Sequence, residues 1–564
     1  MKVIKPIYLS LFISAFAIGQ RAEQPSSETY PKNDFINPLE IKNLLAGNFG
    51  ELRSNHFHSG LDIKTQQKEG LKVFAVGDGY ISRINVSPTG YGNTIYIDHP
   101  NGYTTVYAHL QQFDGQIKEY VRKKQYELQQ FKIEIYPEPQ EFKISKGDLI
   151  ALSGNSGGSG GPHLHFEIRD TKTEEPINPF YFGFNVPDAR KPSILGTYAY
   201  PINGRVNNMN QRIAVANGAT IKASGEIGFG LKAYDKHDGA ENNNGVHEIE
   251  VIVNNETIYN YKASRFSFDE TRAINSVCDY SDLMRNSSWV YQAFVKDGNP
   301  LRIFSNLKNN GVLKIEEGKT YAVKIIAKDY ANNSSTVSFN VIGEATTENL
   351  TPPEFKNPMV WNKENHFKSD GIEIFFPKGI FYEDFDLAYK KEGKKHHVGN
   401  WNFPVHNYFT LMMEPTEDIP AAHLEKAVIV RQYQKKGAWK KSYEKTELKN
   451  GKLVAEVRDF GIFAIEIDYT KPTITPLNIK ENSQFTSTNK KINFTISDSQ
   501  SGIKEYNAYI DGKWVLAEYD HKIKRLSIDL NAEGIEIGEH QLELNIKDEK
   551  NNTSTYNATF KKVS

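Results

Sequence analysis

The chain carries the stretch Gly161-Pro162-His163-Leu164-His165-Phe166-Glu167-Ile168. We interpret residues 162–168 as a β-strand, and residues i and i+2 of a strand face the same side of a sheet. His163 and His165 are therefore expected to point into one site. The glycine- and serine-rich run at 154–161 is an open loop, which either lets the backbone approach a substrate or is a plain turn.

Two further histidine motifs lie upstream. His58 and Asp62 are four residues apart, and Gly60 between them permits a turn that lets both side chains converge on one metal ion. Neutral imidazole and carboxylate are both suitable Zn²⁺ ligands, although this spacing alone is common by chance. His109 ends a predicted strand, where a single histidine is more often structural. His109 is a candidate site residue only because the other two histidine motifs are present in the same chain.

In this order, the three motifs resemble those of the lysostaphin/LytM-type zinc metallo-endopeptidases. The segments Gly90-Tyr91-Gly92-Asn93 and Lys146-Gly147-Asp148 strengthen the resemblance, which covers roughly residues 45–182. The combination is far more specific than any single motif. The resemblance implies a small antiparallel β-sheet domain with an open groove.

The resemblance also implies roles for five residues. It makes His58, Asp62 and His165 the protein ligands of one Zn²⁺, with water in the fourth position. His109 and His163 match the two non-ligand histidines of the family. Bound Zn²⁺ lowers the pKa of its water, and either His163 or His109 takes the proton of that water while the other stabilises the oxyanion. We predict His163 as the general base and His109 as the stabilising group, although the sequence alone does not separate these two roles.

The implied substrate is the cross-linked peptide of bacterial peptidoglycan, cut at an amide bond. Two alternatives stay open: an exported zinc protease acting on other Gly-rich proteins, and an envelope scaffold or activator with little turnover. Asn48 is interpreted as part of the entry to the first strand. The alternative is that its side chain occupies the open position of the metal ion and inhibits the enzyme, as in some members of the family. Glu167 is predicted to support the site or the fold rather than to act as a catalytic carboxylate.

The whole chain is predicted to be mainly β. Residues 35–185 form the antiparallel β-sheet metallopeptidase domain, with one inserted helix over 116–131 that either borders the groove or is a packing decoration. Proline-containing polar segments then separate an immunoglobulin-like β-sandwich module at 187–345, a β-module of unknown topology at 353–468 and an immunoglobulin-like module at 472–564. Segments 328–336 and 547–555 repeat one Lys-Asp-Xaa-Xaa-Asn-Asn pattern, which indicates related modules.

Composition bounds the remaining possibilities. The 564 residues include 68 Lys+Arg, 69 Asp+Glu and one cysteine, so an extended nucleic-acid-binding surface and a disulfide framework are not expected. Residues 1–22 are predicted to be a secretory signal peptide, and no later apolar run is long enough to span a membrane. We expect an exported protein of the periplasm, cell envelope or extracellular space. Peptidoglycan is its expected substrate, and an envelope protein or glycan is the candidate partner of the β-modules.

Overall fold

The computed structural model describes residues 30–345 and 354–564, and it confirms the predicted mainly β architecture with β-modules after an N-terminal domain. The predicted signal peptide at 1–22 lies outside the described residues. Among the described residues, no helix combines the length and apolar character needed to cross a bilayer.

The N-terminal domain consists of short strands around a single long helix. The helix is α1 (Gly115–Leu128), and a 3-10 turn follows at Pro179–Phe182. The strands are β1 (Leu45–Gly47), β2 (Leu52–Arg53), β3 (His56–Phe57), β4 (Leu61–Lys64), β5 (Lys72–Phe74), β6 (Gly79–Val86), β7 (Asn93–Asp98), β8 (Tyr103–Leu110), β9 (Gln112–Phe113), β10 (Ile133–Ile135), β11 (Lys143–Ile144), β12 (Leu149–Leu152), β13 (His163–Asp170) and β14 (Pro176–Ile177).

The main sheet of this domain is antiparallel and has the order β1-β4-β13-β8-β7-β6-β10, with β11 paired to β6 and β14 paired to β13. A three-stranded sheet, β5-β12-β9, packs beside it. Their facing apolar residues form one core, which includes Ile63, Tyr107, Leu164 and Phe166. The sheet thus places β4, β13 and β8 side by side at its centre.

The first β-module follows the N-terminal domain. Its strands are β15 (Ser193–Val206), β16 (Ile213–Ala214), β17 (Thr220–Tyr234), β18 (Glu248–Val253), β19 (Glu256–Lys262), β20 (Tyr291–Gln292), β21 (Phe304–Ser305), β22 (Leu313–Lys314), β23 (Thr320–Lys328) and β24 (Ser334–Gly343). They form one ten-stranded sheet. Short helices lie at α2 (Ile274–Val277) and α3 (Tyr280–Asn286), with 3-10 turns at Thr271–Ala273 and Asn309–Gly311.

The second and third β-modules each fold two sheets onto one apolar core. The second contains β25 (Pro358–Met359), β26 (Asn365–Ser369), β27 (Ile372–Phe376), β28 (Phe385–Asp386), β29 (Tyr389–Glu392), β30 (Lys395–Val398), β31 (Phe409–Met413), β32 (Ala427–Lys435), β33 (Ala438–Glu444), β34 (Thr446–Lys449), β35 (Lys452–Val457) and β36 (Gly461–Ile467), with a 3-10 turn at Ala421–Lys426. The third contains β37 (Thr473–Pro476), β38 (Ser483–Phe485), β39 (Lys491–Ser497), β40 (Ile503–Ile510), β41 (Lys513–Val515), β42 (Glu518–Asp520), β43 (Arg525–Asp529), β44 (Gly538–Asp548) and β45 (Thr553–Lys562).

The first and third modules share a pairing scheme, as the repeated sequence pattern predicts. In each, a hairpin (β18–β19 or β40–β41) pairs with the penultimate strand, and that strand forms a hairpin with the last one. In each, the last strand also pairs in parallel with an early strand, β17 or β38. Their assignment as immunoglobulin-like modules stays a prediction.

The first module holds the segment that leads into the N-terminal sheet. Phe49, Leu52 and Phe57 are at most 8% exposed and belong to the apolar core of the first module. The rings of Phe49 and Phe57 lie 5.2 and 5.5 Å from that of Phe266. Because burying such side chains is favourable, residues 49–57 are fixed by a module that follows them by more than a hundred residues.

The third module packs against helix α1. The helix begins one residue before the predicted range of 116–131 and ends three residues early, where Gln129 adopts a left-handed conformation. Ile117 and Val121 face the core of their own domain, whereas Tyr126 meets the ring of Trp514 edge-on at 5.2 Å. Arg122 and Tyr126 also contact the carboxylate of Glu533. The helix therefore carries a contact between domains.

Candidate metal site

Three central strands bring the histidine motifs together. In the antiparallel ladder between β4 and β13, His165 lies directly opposite Asp62. His163 is two residues earlier on β13, so its ring faces the same side. His58 precedes β4, and Gly60 allows the close approach of this turn to β13, because a Cβ there would lie 2.3 Å from the carbonyl oxygen of Phe166.

Three donor atoms converge at this point. His58 Nε2 lies 3.0 Å from both Asp62 Oδ1 and His165 Nδ1, and Asp62 Oδ1 lies 2.8 Å from His165 Nδ1. All three residues are at most 5% exposed. Two imidazole nitrogens and a carboxylate oxygen are a donor set that suits a tetrahedral Zn²⁺ site with one open position. These residues could therefore hold a metal ion.

The second nitrogen of each imidazole in this triangle is occupied by a fixed acceptor. His58 Nδ1 lies 2.7 Å from the carbonyl oxygen of Asn48, and His165 Nε2 lies 2.7 Å from Glu167 Oε1. A carbonyl or carboxylate oxygen can only accept, so these nitrogens carry the N–H. When both rings are neutral, they present their lone pairs, on His58 Nε2 and His165 Nδ1, to a common point. Such outer partners orient metal-binding histidines.

His109 and His163 lie beside this triangle with their rings 4.8 Å apart. Each donates its Nδ1–H to a backbone carbonyl, that of Ser156 at 2.9 Å for His109 and that of Gly161 at 2.8 Å for His163. In the neutral rings the lone pair is therefore on Nε2, and His163 Nε2 lies 3.3 Å from Asp62 Oδ1. The His163 side chain is 13% exposed, more than any residue of the triangle, so solvent reaches the site from this side.

The backbone at His109 is strained in a way that aims its ring. His109 has a φ of 59° although it is not glycine, and the pairing of β7 with β8 is irregular near this point. A bulge re-aims a side chain, and a left-handed non-glycine residue costs about 1–3 kcal/mol. The local sequence carries no turn residue that would have predicted this conformation.

A family profile matches the segment that carries His58, Asp62 and His109. The description of that profile is peptidase family M23, and it matches residues 56–126. The chain is 31% identical over 137 residues to the DD-carboxypeptidase/endopeptidase Mpg of Neisseria meningitidis, and the match covers 24% of this chain and 25% of that protein. It is also 31% identical over 137 residues to the peptidoglycan DD-endopeptidase ShyA of Vibrio cholerae, covering 23% and 26%.

The N-terminal domain is an M23-family metallopeptidase domain. The resemblance to lysostaphin/LytM-type endopeptidases is thereby confirmed. Among solved structures, the catalytic domain of lysostaphin from Staphylococcus simulans matches with 21% identity, a TM-score of 0.19, and coverage of 24% of this chain and 90% of that one. The chain spans about a quarter of the length of the curated relatives named above. A Zu5-like domain profile matches residues 356–468, the second β-module.

Glu167 is the centre of a buried network in the M23 domain. Its Oε1 accepts hydrogen bonds from His165, Tyr91 and Ser59, and its Oε2 accepts one from Arg169 at 2.6 Å. Glu167 is 0% exposed. The carboxylate thus has four partners and positions His165, in line with the supporting role predicted from the sequence.

Arg53 is a contact of the M23 domain that the sequence reading missed. Its Nη2 donates to Asp62 Oδ2, which leaves Oδ1 for the point where the donor atoms converge. Arg53 belongs to the segment held by the first β-module, so the module supports Asp62 as well as His58. In the sequence, Arg53 is recognisable only as an arginine nine residues before Asp62, and this spacing does not predict the contact.

The other polar residues considered lie away from the convergence point. Asn48 turns its side chain to Gly245 of the first module, with two hydrogen bonds of 2.8 and 2.9 Å. His56 is exposed and contacts the carbonyl of Ser54. His99 is buried between Thr105 and the carbonyl of Asp78.

Burial and charge give the histidines of the site different proton affinities. Burial lowers the pKa of His58 to about 4, and burial together with the neighbouring His165 and His163 lowers the pKa of His109 to about 3. Burial also opposes the charged form of His165, but hydrogen bonds to Asp62 and Glu167 outweigh it and raise its pKa to about 9. Without a metal ion, the site therefore holds one proton on His165 at neutral pH, between two carboxylates.

Proposed function

We propose that the protein is an exported zinc metallo-endopeptidase that hydrolyses amide bonds in the stem or cross-bridge peptides of peptidoglycan. The observation that carries this proposal is the convergence of His58 Nε2, Asp62 Oδ1 and His165 Nδ1 within 3.0 Å of one another, with His109 and His163 beside them. The peptidoglycan activity in the names of the relatives supports the substrate class. The predicted signal peptide at 1–22 supports export to the periplasm, envelope or exterior.

In this proposal His58, Asp62 and His165 hold one Zn²⁺, which supplies a Lewis acid and a water of lowered pKa. Glu167 keeps the N–H of His165 on Nε2, and Arg53 holds the second oxygen of Asp62. His109 and His163 line the open side, where Nε2 of His163 would accept the proton of the attacking water and His109 would face the developing oxyanion. The protonated ring then returns that proton to the leaving amine.

The two assisting histidines have similar surroundings. Both donate Nδ1–H to a backbone carbonyl, so each neutral ring can accept at Nε2 and each protonated ring can donate there. The proposal that His163 is the base and His109 the oxyanion stabiliser rests on the greater exposure of His163 to solvent. A protonated His109 would be needed to donate to an oxyanion, and burial opposes that state before the proton transfer.

Digestion of purified sacculi tests the proposed function. The full-length zinc-loaded protein should release peptide-cleaved fragments and reduce cross-linked dimers, as measured by mass spectrometry. His163→Ala protein and chelator-treated protein should leave the dimers intact. Intact dimers with cleavage of Gly-rich proteins such as elastin would favour the general protease, and stoichiometric zinc with no cleavage would favour the scaffold.

Zinc binding should depend on pH in a defined direction. His165 is protonated below about pH 9 in the metal-free protein, and zinc must displace that proton from Nδ1. His58, with a pKa of about 4, adds no further proton above pH 6. We expect zinc affinity to rise by up to about tenfold per pH unit between pH 6.5 and 9 and then to level off. Calorimetry in buffers of different ionisation enthalpy should show about one proton released per zinc at pH 7; a release of none would contradict the position of the proton.

Replacing Glu167 by glutamine should weaken zinc binding by about 10–100-fold, because the substitution removes the charge that orients His165. Competition with a chromophoric chelator measures this affinity. Glu138→Gln, at an exposed position of the same domain, is the matched control and should bind zinc as the wild type does. Equal affinity in the wild type and the Glu167→Gln variant would show that the network serves the fold alone.

The β-modules are proposed to hold the M23 domain in place and to contact a partner in the envelope. Their support of Asp62 and His58 from one side and of helix α1 from the other fits this role. Aromatic side chains can contact a glycan, and Trp439 on β33, which is 58% exposed, is more accessible than the half-buried Trp361 and Trp401. Trp361 packs against the core of the second module.

A further inference from the structure

A second group of potential ligands lies where the first β-module begins. One ligand atom from each of Asp188, Asp235 and His237 lies within 4.8 Å of the others. Asp188 belongs to the segment that links the M23 domain to the module, whereas Asp235 follows β17. The carboxylate of Asp329, after β23, is close enough to Asp235 and Asp188 for their charges to repel. Three carboxylates thus gather at one end of the module.

Asp235 lacks the partners that a buried carboxylate needs. The residue is 1% exposed, and neither carboxylate oxygen accepts a hydrogen bond within the described residues. The nearest cationic candidate is His237, whose Nε2 lies 3.4 Å from Asp235 Oδ2 and 3.9 Å from Asp188 Oδ2 without forming a hydrogen bond to either. An unpaired buried charge is strongly unfavourable, so the arrangement calls for a positive ligand.

Two residues beside Asp235, Asp188 and Asn244, also lack a positively charged or hydrogen-bonding partner for a side-chain oxygen or are affected by its absence. Burial and the proximity of Asp235 raise the pKa of Asp188 to about 6. The side-chain oxygen of Asn244 is also buried without a partner. Asn244 exchanges two backbone hydrogen bonds with Asp235, at 2.8 and 2.9 Å, so the two side chains lie on the same face of the ladder. Asn244 Oδ1 is therefore a further oxygen on the side of the Asp235 carboxylate.

The third module repeats this end of the first. Asn333 Nδ2 donates to the carbonyl of Asp188, and Asn552 Nδ2 donates to the carbonyl of Asp468. The hydroxyls of Ser335 and Ser554 each donate to the carbonyl of a linker proline at 2.6 Å. The carboxylates of the third module that correspond to those of the first are Asp468, Asp498 and Asp548, which also lie within 4.8 Å of one another.

Comparison of the first and third modules shows which type of metal-donor atom the two clusters share. Gln500 takes the place of His237 in the third module, so the side-chain donors shared by both ends are carboxylate oxygens. Oxygen donors in an irregular loop setting favour Ca²⁺, which accepts six to eight of them in flexible geometry. The carboxylates of the third module are less suited to binding a cation than those of the first. Asp498 is half-buried, and its Oδ2 already accepts hydrogen bonds from two backbone N–H groups.

We propose that Asp188 and Asp235, with Asp329 beside them, bind one Ca²⁺ ion at the junction of the M23 domain and the first β-module. The ion would tie the linker at Asp188 to the loop after β17. It would thereby fix the module that holds residues 49–57 in front of the metal site. This site is separate from His58, Asp62 and His165, and it does not depend on the proposed peptidase activity.

Calcium binding to the full-length zinc-loaded protein tests this site. Calorimetry in calcium-free buffer should show Ca²⁺ uptake by the wild type, and the melting temperature should rise by several degrees in millimolar Ca²⁺. Asp235→Asn should bind one Ca²⁺ fewer per chain and lose most of that rise. Asp269→Asn, at an exposed position of the same module, is the matched control and should behave as the wild type does.

A third readout separates ligand loss from misfolding. Without Ca²⁺, Asp235→Asn should melt at or above the temperature of the wild type, because the substitution removes an unpaired buried charge. If that variant does not fold, Asp188→Asn gives the same readout. A wild type that binds no Ca²⁺, or an Asp235→Asn variant with unchanged calcium stoichiometry, would overturn the proposal and leave His237 as the partner of the carboxylates.

Discussion

Asp62→Ala is expected to abolish stoichiometric zinc binding and, with it, the cleavage of peptidoglycan. Asp62 supplies the only carboxylate among the three converging donor atoms, and its Oδ1 lies within 3.0 Å of both imidazole nitrogens. Removing a direct ligand should cost more zinc affinity than the 10–100-fold typical of outer partners. Metal analysis of the purified protein after dialysis measures the effect.

Two further variants make this result specific. Asp62→Asn keeps the shape of the side chain but removes its charge, so it should also lose most of its zinc while melting near the wild-type temperature. His56→Ala removes a nearby exposed histidine and should retain full zinc content. A stoichiometric zinc ion in the Asp62→Ala protein would refute the ligand assignment.

The centre of the site could be predicted from the sequence because its residues follow local rules. His163 and His165 share a face through the two-residue period of a strand, and Gly60 provides the tight approach that lets His58 and Asp62 meet β13. The strand that carries His163 and His165 and the helix at 116–131 were likewise predicted from the sequence pattern. The observed helix differs from the predicted range by one residue at its start and by three at its end.

The rest of the site depends on contacts that have no local pattern. Asn48 bonds to Gly245, 197 residues away, and the burial of Phe49 and Phe57 depends on Phe266 in the first module. Arg53 reaches Asp62 only because this segment is anchored there. The left-handed backbone of His109 has a similar origin, since the surrounding sheet imposes it. Contacts between residues so far apart in the sequence cannot be predicted from the spacing of residues within a motif.

These contacts make the M23 domain dependent on the modules that follow it. The first module fixes the backbone carbonyl that holds His58 and the arginine that holds Asp62. The third module reaches the other side, where Lys522 donates to the carbonyl of Asn155, next to the Ser156 carbonyl that holds His109. Both groups of site residues are thus positioned in part by elements outside the peptidase segment.

His163→Ala is expected to lower kcat on a defined cross-linked peptide by about 10²–10⁴-fold, the usual loss when a positioned general base is removed. Because His163 donates to a backbone carbonyl and is not one of the three converging donors, the variant should keep its zinc. Zinc content and kcat measured on the same preparation separate the two effects. His56→Ala is again the matched control and should keep the wild-type kcat.

His109→Ala distinguishes the two assisting roles. If His163 is the base, its loss should remove the low-pH limb of the kcat profile, because that limb reports protonation of the base in the substrate complex. His109→Ala should then lower kcat while keeping the limb, since an oxyanion donor is worth about 10²–10³ in rate without setting the titration. If the limb disappears in His109→Ala and persists in His163→Ala, the roles are reversed, and the neutral His109 held by the Ser156 carbonyl is the base. A kcat within about tenfold of the wild type in both variants would mean that neither ring moves the proton.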